Sequence, residues 1–223
     1  MFSDASKAFS QMFQRPFRAI LWKSLGFTIA LLIVLWIVLE GVVVHYVDLP
    51  YAWLDTVLSI LTGIGAFVGL GFLIAPISAL FVAFFQDDIA EIVEKTDYPA
   101  DPPGKPLPLV RSLILSLRFT GVVILGNLIA LILLLVPGVN LVAFFLVNGY
   151  LLGREFFEFA AMRFLPPEEA RALRGRNGAW VFLAGLGIAV VLAIPILNLL
   201  TPIFATIFMV HLCKRLQRRA ARL

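Results

Sequence analysis

The chain has 223 residues, of which 61% are hydrophobic and only 14% are charged, and its formal net charge is +4. A soluble domain carries about 45–50% apolar and about 25% charged residues, so this chain could not bury its apolar surface as a water-soluble globule. A disulfide-stapled domain is excluded because Cys213 is the single cysteine, and a nucleic-acid-binding domain because the basic residues flank apolar runs. The composition therefore predicts an integral membrane protein.

Residues 1–14 predict a short amphipathic helix on the membrane surface. Phe2, Phe9 and Phe13 recur at helical spacing among Ser, Gln and Lys. This pattern is typical of a helix that lies in the interface with its apolar face in the lipid.

Four stretches without acidic or basic residues predict the membrane topology; they cover residues 24–39, 56–86, 119–153 and 177–212. A straight helix crosses the hydrocarbon core in about 20 residues. The first two stretches therefore predict one transmembrane helix each, over residues 17–47 and 53–95, and the second continues outside the membrane.

The third and fourth stretches are too long for one crossing, and each has a proline near its middle, at Pro137 and Pro195. Proline removes a backbone donor and disfavours helix in the residue before it. Each stretch therefore predicts a helical hairpin, over residues 107–165 and 177–221. Each arm has about 16–18 residues, which is barely enough to cross the bilayer, and the uncharged tips also fit hairpins that stop inside it. The predicted fold is an all-α integral membrane protein, with two long transmembrane helices, two such hairpins and the surface helix, in one membrane domain.

The basic residues predict the orientation. They precede the first apolar stretch and end the chain, whereas none lies between the first two stretches. Basic residues favour the cytoplasm, so we predict that both termini are cytoplasmic. Arg111 and Arg118 precede the third stretch and five arginines follow it over residues 154–176. Both groups lie on the cytoplasmic side only if this stretch folds back, which favours the hairpin.

We expect no enzyme, cofactor or metal site, since the sequence has no HExxH motif, glycine-rich phosphate loop or Cys/His cluster. The segment Glu168-Glu169-Ala170-Arg171 resembles the diglutamate of intramembrane CAAX-type proteases. Their arginine would fall at Leu173, however, and we expect Pro166-Pro167 to place this segment in a loop.

Nine polar residues are candidates for binding or guiding an anion: Arg18, Lys23, Arg111, Arg118, Asn140, Arg154, Glu155, Glu158 and Asn198. Each has a structural alternative. The first two basic residues also fit interface anchors, and the two asparagines also fit helix caps at the hairpin tips. Arg154 and Glu158 are i,i+4 neighbours, which fits either a buried ion pair between helices or the wall of a wet vestibule.

The prolines suggest a further way to bind an anion. A new helix is expected after each of them, and the free N–H groups at its start carry a partial positive charge. Discontinuous helices in transporters bind anions in this way. Our hypothesis is that the paired hairpin tips present backbone amides to an oxyanion.

Residues 148–158, with the sequence NGYLLGREFFE, resemble the signature of the CysZ-type sulfate permeases and their etoposide-induced-protein-like superfamily. The segments around Pro137 and Pro195 resemble that family's two hairpin turns. Arg15-Pro16-Phe17-Arg18 is similar to its Gly-Leu-Arg segment, with Pro16 and Phe17 in place of the glycine and the leucine. The resemblance covers roughly residues 8–216.

The resemblance implies a bacterial inner-membrane protein that admits sulfate for cysteine synthesis, as a homo-oligomer of dimers grouped into a hexamer, without an ATPase partner. The leading interpretation is a channel-like permease for sulfate, with sulfite and thiosulfate as related solutes. The alternative is a non-transporting membrane scaffold that shapes the bilayer. A cation channel that uses the acidic residues of segment 87–101 is a third interpretation.

Overall fold

The computed structural model describes residues 1–46, 84–106 and 139–220, with the single positions 63 and 77. In this part of the chain the regular secondary structure is entirely helical, in agreement with the predicted all-α class. The helices are α1 (Phe2–Gln11), α2 (Arg15–Tyr46), α3 (Gln86–Asp97), α4 (Val139–Met162), α5 (Pro167–Arg176), α6 (Gly178–Leu192), α7 (Pro195–Asn198) and α8 (Thr201–Ala220).

The chain divides into two compact units. The first unit combines Met1–Arg18 with Phe85–Leu223, and the second is Ala19–Phe84. Most of α2 belongs to the second unit, and all the other described helices belong to the first.

The clear candidate for a membrane span is α2. Its 32 residues reach about 48 Å, more than the roughly 30 Å of the hydrocarbon core. Large apolar side chains are exposed along it, among them Trp22, Ile33 and Ile37 at 65%, 55% and 63%. A helix that is apolar all round belongs in lipid. Most of the second predicted transmembrane segment, residues 53–95, lies outside the described residues.

A bend of 88° separates α5 from α6. Among the described residues, α2 is the one helix that is long and apolar enough to cross a membrane by itself. The bent pair of α5 and α6 would be a second crossing if it forms one broken span. The sequence predicted a loop where α5 lies, and that prediction was wrong. Pro167 occupies the first position of α5, where a helix needs no N–H donor, so the proline starts the helix instead of preventing it.

Glycines allow α4 and α6 to pack closely. A Cβ atom on Gly185 of α6 would lie 1.9 Å from the carbonyl oxygen of Gly149 on α4. A Cβ atom on Gly153 would lie 2.6 Å from the carbonyl oxygen of Val181. Small residues at i,i+4 are a common way for membrane helices to approach each other. Two glycines of the segment 148–158 therefore serve this contact.

The most buried helix of the first unit is α8, which contacts α1, α3, α4 and α6. It follows a break that the sequence predicted at Pro195. Ile194 is extended, as expected before a proline, and Pro195 begins the single turn of α7. The helices on either side of this break, α6 and α8, contact each other. Of the other predicted hairpin, residues 107–165, the described arm is α4, which begins directly after Pro137-Gly138.

Candidate functional site

Arg154 and Glu158 face each other one turn apart on α4, with Arg154 Nε 3.3 Å from Glu158 Oε1. The same oxygen lies 2.9 Å from Nε of Arg174 on α5. The Glu158 side chain is 9% exposed, whereas those of Arg154 and Arg174 are 39% and 26% exposed. One buried carboxylate thus holds two partly exposed guanidinium groups, and we call these residues the 154–158–174 cluster.

The three side chains of the cluster carry a formal net charge of +1. Both arginines approach Glu158 through Nε, which leaves their terminal amino groups outside this contact. Arg174 Nε is close to the carboxylate but is not aligned for a hydrogen bond with it. The sequence left two interpretations open, a buried ion pair between helices and the wall of a wet vestibule. Both fit this geometry, since Glu158 is buried and the two arginines are partly exposed.

The sequence analysis did not identify Arg174 as a candidate, because its partner Glu158 lies on another helix and local spacing does not reveal such a pair. The available signal was the acidic first turn and basic last turn of α5, with Glu168 and Glu169 at one end and Arg174 and Arg176 at the other. This distribution complements the helix dipole and is typical of a real helix.

The other candidates are dispersed. Arg18 and Lys23 are both exposed near the start of α2, and neither makes an ion pair with a described residue. Glu155 is half-buried on α4 and has no cation within ion-pair distance in the described ranges. Asn140 lies in the first turn of α4, and Asn198 is the last residue of α7, whose N-cap is Ile194. Arg111 and Arg118 lie outside the described residues.

A second polar cluster, which the sequence did not predict, centres on Arg163 after α4. Its side chain is 2% exposed, and its Nε lies 2.8 Å from Glu94 Oε1 on α3. It also pairs with Asp87. The backbone N–H of Gly104 donates to Glu94 Oε2 at 2.8 Å. Two acids of the segment proposed for a cation channel therefore stabilise the fold.

A third polar cluster joins α1, the end of α3 and α8 around His211. Gln11 Nε2 donates to Asp97 at 2.6 Å, which turns the Gln11 oxygen toward His211 Nε2 at 2.8 Å. His211 Nε2 therefore carries the hydrogen, and Nδ1 accepts from the Tyr98 hydroxyl at 2.7 Å. Burial, followed by the charges of Asp97 and Asp4, raises the pKa of Tyr98 to about 12, so this hydroxyl remains a donor.

Comparison with protein families matches residues 4–202 to the family described as sulfate transporter CysZ/etoposide-induced protein 2.4. The chain belongs to this family. The match spans most of the protein and confirms the resemblance that residues 148–158 indicated. A search of curated proteins found no significant match.

Membership of the CysZ/etoposide-induced protein family agrees with the apolar span α2, and together they indicate a membrane protein of transporter type. Within this family member, the signature segment supplies both the glycines that join α4 to α6 and two residues of the 154–158–174 cluster. The residues that pack against α6 and the charged residues of the cluster therefore lie on the same helix, α4.

Proposed function

We propose that this protein is a channel-like permease that carries sulfate, or a related oxyanion such as sulfite or thiosulfate, across the bacterial inner membrane for cysteine synthesis. The family description, which names a sulfate transporter, supports the substrate. The observation that carries the proposal is the 154–158–174 cluster, in which a buried carboxylate fixes two partly exposed guanidinium groups.

A site that conducts an oxyanion needs donors in a fixed orientation and an attraction of moderate strength. A guanidinium group presents a planar set of donors that matches the oxygens of an oxyanion. Glu158 holds both arginines in place, which lowers the entropy cost of binding, and it also cancels one of their two charges. The resulting attraction is moderate, and conduction requires binding that is weak enough for release.

The remaining candidates extend this proposal along the chain. Arg18, Lys23, Arg111 and Arg118 attract the anion toward the membrane. The breaks near Asn140 and Asn198 supply backbone amides at membrane depth. By analogy with its family, we propose that the protein is a dimer-based homo-oligomer that forms a hexamer, with both termini in the cytoplasm and two hairpins that penetrate part of the bilayer.

A membrane scaffold is the second candidate function, and the exposed aromatic residues of α1 and of the turn that follows it favour it. Phe2, Phe9 and Phe13 are 86%, 44% and 45% exposed. A helix with this surface inserts shallowly into a lipid monolayer and can bend it without any transport.

Sulfate uptake into proteoliposomes distinguishes the two functions. Purified protein is reconstituted, and entry of radiolabelled sulfate is compared with entry into liposomes without protein. The permease predicts saturable uptake that unlabelled sulfate inhibits and chloride does not. If folded and inserted protein gives no more uptake than empty liposomes, the result would contradict the permease and favour the scaffold.

A further inference from the structure

A basic pocket of about 310 Å³ lies in the first unit, between α1, the segment after α3 and the end of α8. Its lining residues are Asp4, Tyr98, His211, Arg215, Arg218 and Arg219. None of the nine candidates from the sequence lines it. Three of the six side chains are arginines, and this composition is unlike that of the apolar pockets that usually bind small molecules.

The three arginines share one face of α8. Positions 215, 218 and 219 are related by i,i+3 and i,i+4 spacing, so their side chains lie side by side within the last two turns. The C-terminus of a helix favours positive charge, which stabilises the arginines there before any ligand binds.

The positive charge of the pocket is only partly neutralised. Arg215 Nη1 lies 2.8 Å from Asp4, and Arg218 Nη2 lies 3.2 Å from Asp101. Lys214 shares Asp101 at 3.2 Å. Arg219 is exposed and makes no ion pair with any residue in the described ranges. Four cations thus meet two carboxylates, which leaves an excess positive charge at the pocket.

Aromatic rings contact two of the three arginines. The Arg218 guanidinium lies 5.1 Å from the centre of the Tyr98 ring, and that of Arg215 lies 6.0 Å from the centre of the Trp180 ring. Tyr98 is fixed in turn by its hydrogen bond to His211, which is 2% exposed. Cation–π contacts of this kind orient a guanidinium while leaving its N–H donors available. Arg215 and Arg218 are therefore oriented before an anion binds.

The surroundings of the pocket suggest where the anion comes from. Helix α1, which contributes Asp4, also exposes Phe2 and Phe9, and Phe13 is exposed in the turn after it. Trp180, whose ring contacts Arg215, is 42% exposed. Exposed aromatic residues of this kind lie at the level of the lipid headgroups. Clusters of arginine and lysine at that level attract anionic lipids.

We propose that this pocket binds the phosphate group of an anionic phospholipid headgroup, with Arg219 as its main free donor and Arg215 and Arg218 beside it. The site is separate from the 154–158–174 cluster and does not depend on the transport proposal. Free inorganic phosphate or sulfate offers the same tetrahedral chemistry, so the experiment compares these sources.

Native mass spectrometry of the protein released from detergent provides the test. The retained phosphatidylglycerol is counted against phosphatidylcholine for the wild type, Arg219→Gln, Arg219→Glu and Arg171→Gln. Arg171 is a matched control because it is an exposed arginine on α5 that does not line the pocket. Arg219 has no described ion pair to lose, so these variants should fold, which thermal unfolding verifies.

The expected result is preferential retention of phosphatidylglycerol by the wild type and by Arg171→Gln. Loss of one basic residue near an anionic surface weakens retention about fivefold in Arg219→Gln, and charge reversal in Arg219→Glu weakens it further. Equal retention by all four proteins would overturn the proposal. Displacement of phosphatidylglycerol by an equal concentration of inorganic phosphate or sulfate would overturn the lipid as the source of the anion.

Discussion

Gln11 and His211 are 200 residues apart in the chain, and a hydrogen bond of 2.8 Å joins their side chains. This contact attaches the first helix of the protein to the last. Both side chains are buried, at 6% and 2% exposure, so water cannot replace either partner without local opening.

Gln11→Leu tests this contact. It leaves His211 Nε2 and one oxygen of Asp97 without their partner, and a buried polar group without a partner costs about 1–3 kcal/mol. We expect a lower unfolding temperature in circular dichroism. Gln14→Leu is the matched control, because Gln14 is exposed one turn later. Equal unfolding temperatures for the two variants would show that the contact does not stabilise the fold.

The glycines of α6 provide a second test of packing. Gly185→Ala places a methyl group 1.9 Å from a backbone oxygen, so we expect it to separate α4 from α6 and to cost about 1–3 kcal/mol or more. Gly187→Ala places the methyl group 3.7 Å from Phe208, which is an ordinary contact, and alanine favours helix by about 1 kcal/mol. Thermal unfolding should therefore rank Gly187→Ala at or above the wild type and Gly185→Ala well below it. The reverse order would refute the close approach of the two helices.

The lowered pKa of Asp97 predicts that the stability of the fold depends on pH in the acidic range. Burial is the largest influence on this carboxyl and favours its neutral form. Hydrogen bonds from Lys7 and Gln11 and the nearby positive charge outweigh burial, so the pKa of Asp97 lies below its usual value of 3.8. The unfolded chain then binds this proton more readily than the folded chain. The stabilisation of the fold by the ionised Asp97 side chain is fully present above pH 3.8. It is lost as the pH falls through the pKa that Asp97 has in the folded protein.

Unfolding of Asp97→Asn and of the wild type over a series of pH values measures this contribution. The variant should be less stable near neutral pH, and the difference should shrink below about pH 4 as Asp97 becomes protonated in the wild type. A difference that stays constant down to the lowest pH at which both fold would contradict the lowered pKa.

The carboxylate at the centre of the 154–158–174 cluster predicts different effects for two neighbouring acids. Glu158→Gln removes the charge that both Arg154 and Arg174 contact, and we expect it to cost about 1–3 kcal/mol. Glu155→Gln alters a half-buried group that has no described ion pair, and it should change stability less. Chemical denaturation in mild detergent compares the two variants. An equal or larger loss in Glu155→Gln would contradict the role of Glu158.

The elements that the sequence predicted correctly have local causes. The break at Pro195 follows from the missing N–H donor of proline, and the candidate span α2 follows from a continuous run of apolar residues. The wrong prediction of a loop at residues 166–171 also has a local cause, since proline was treated as a helix breaker where it begins a helix.

The polar contacts could not be predicted from local pattern. Arg163 reaches Glu94 across 69 residues and Asp87 across 76, and sequence spacing holds no information on pairs at this distance. For the same reason the sequence found Arg154 and Glu158, which are i,i+4 neighbours, but missed Arg174 on the next helix. The family description names a sulfate transporter, whereas the geometry of the cluster could be seen only in the structure.

Uptake of radiolabelled sulfate into proteoliposomes by the wild type, Arg154→Ala and Arg171→Ala tests the central claim most directly. Arg154 on α4 contacts Glu158, whereas Arg171 on α5 is exposed and makes no ion pair with Glu158. Loss of a charge-assisted hydrogen bond predicts uptake about tenfold or more lower in Arg154→Ala, with Arg171→Ala close to the wild type. Equal uptake by all three folded proteins, or no uptake above empty liposomes, would contradict an oxyanion path through this cluster.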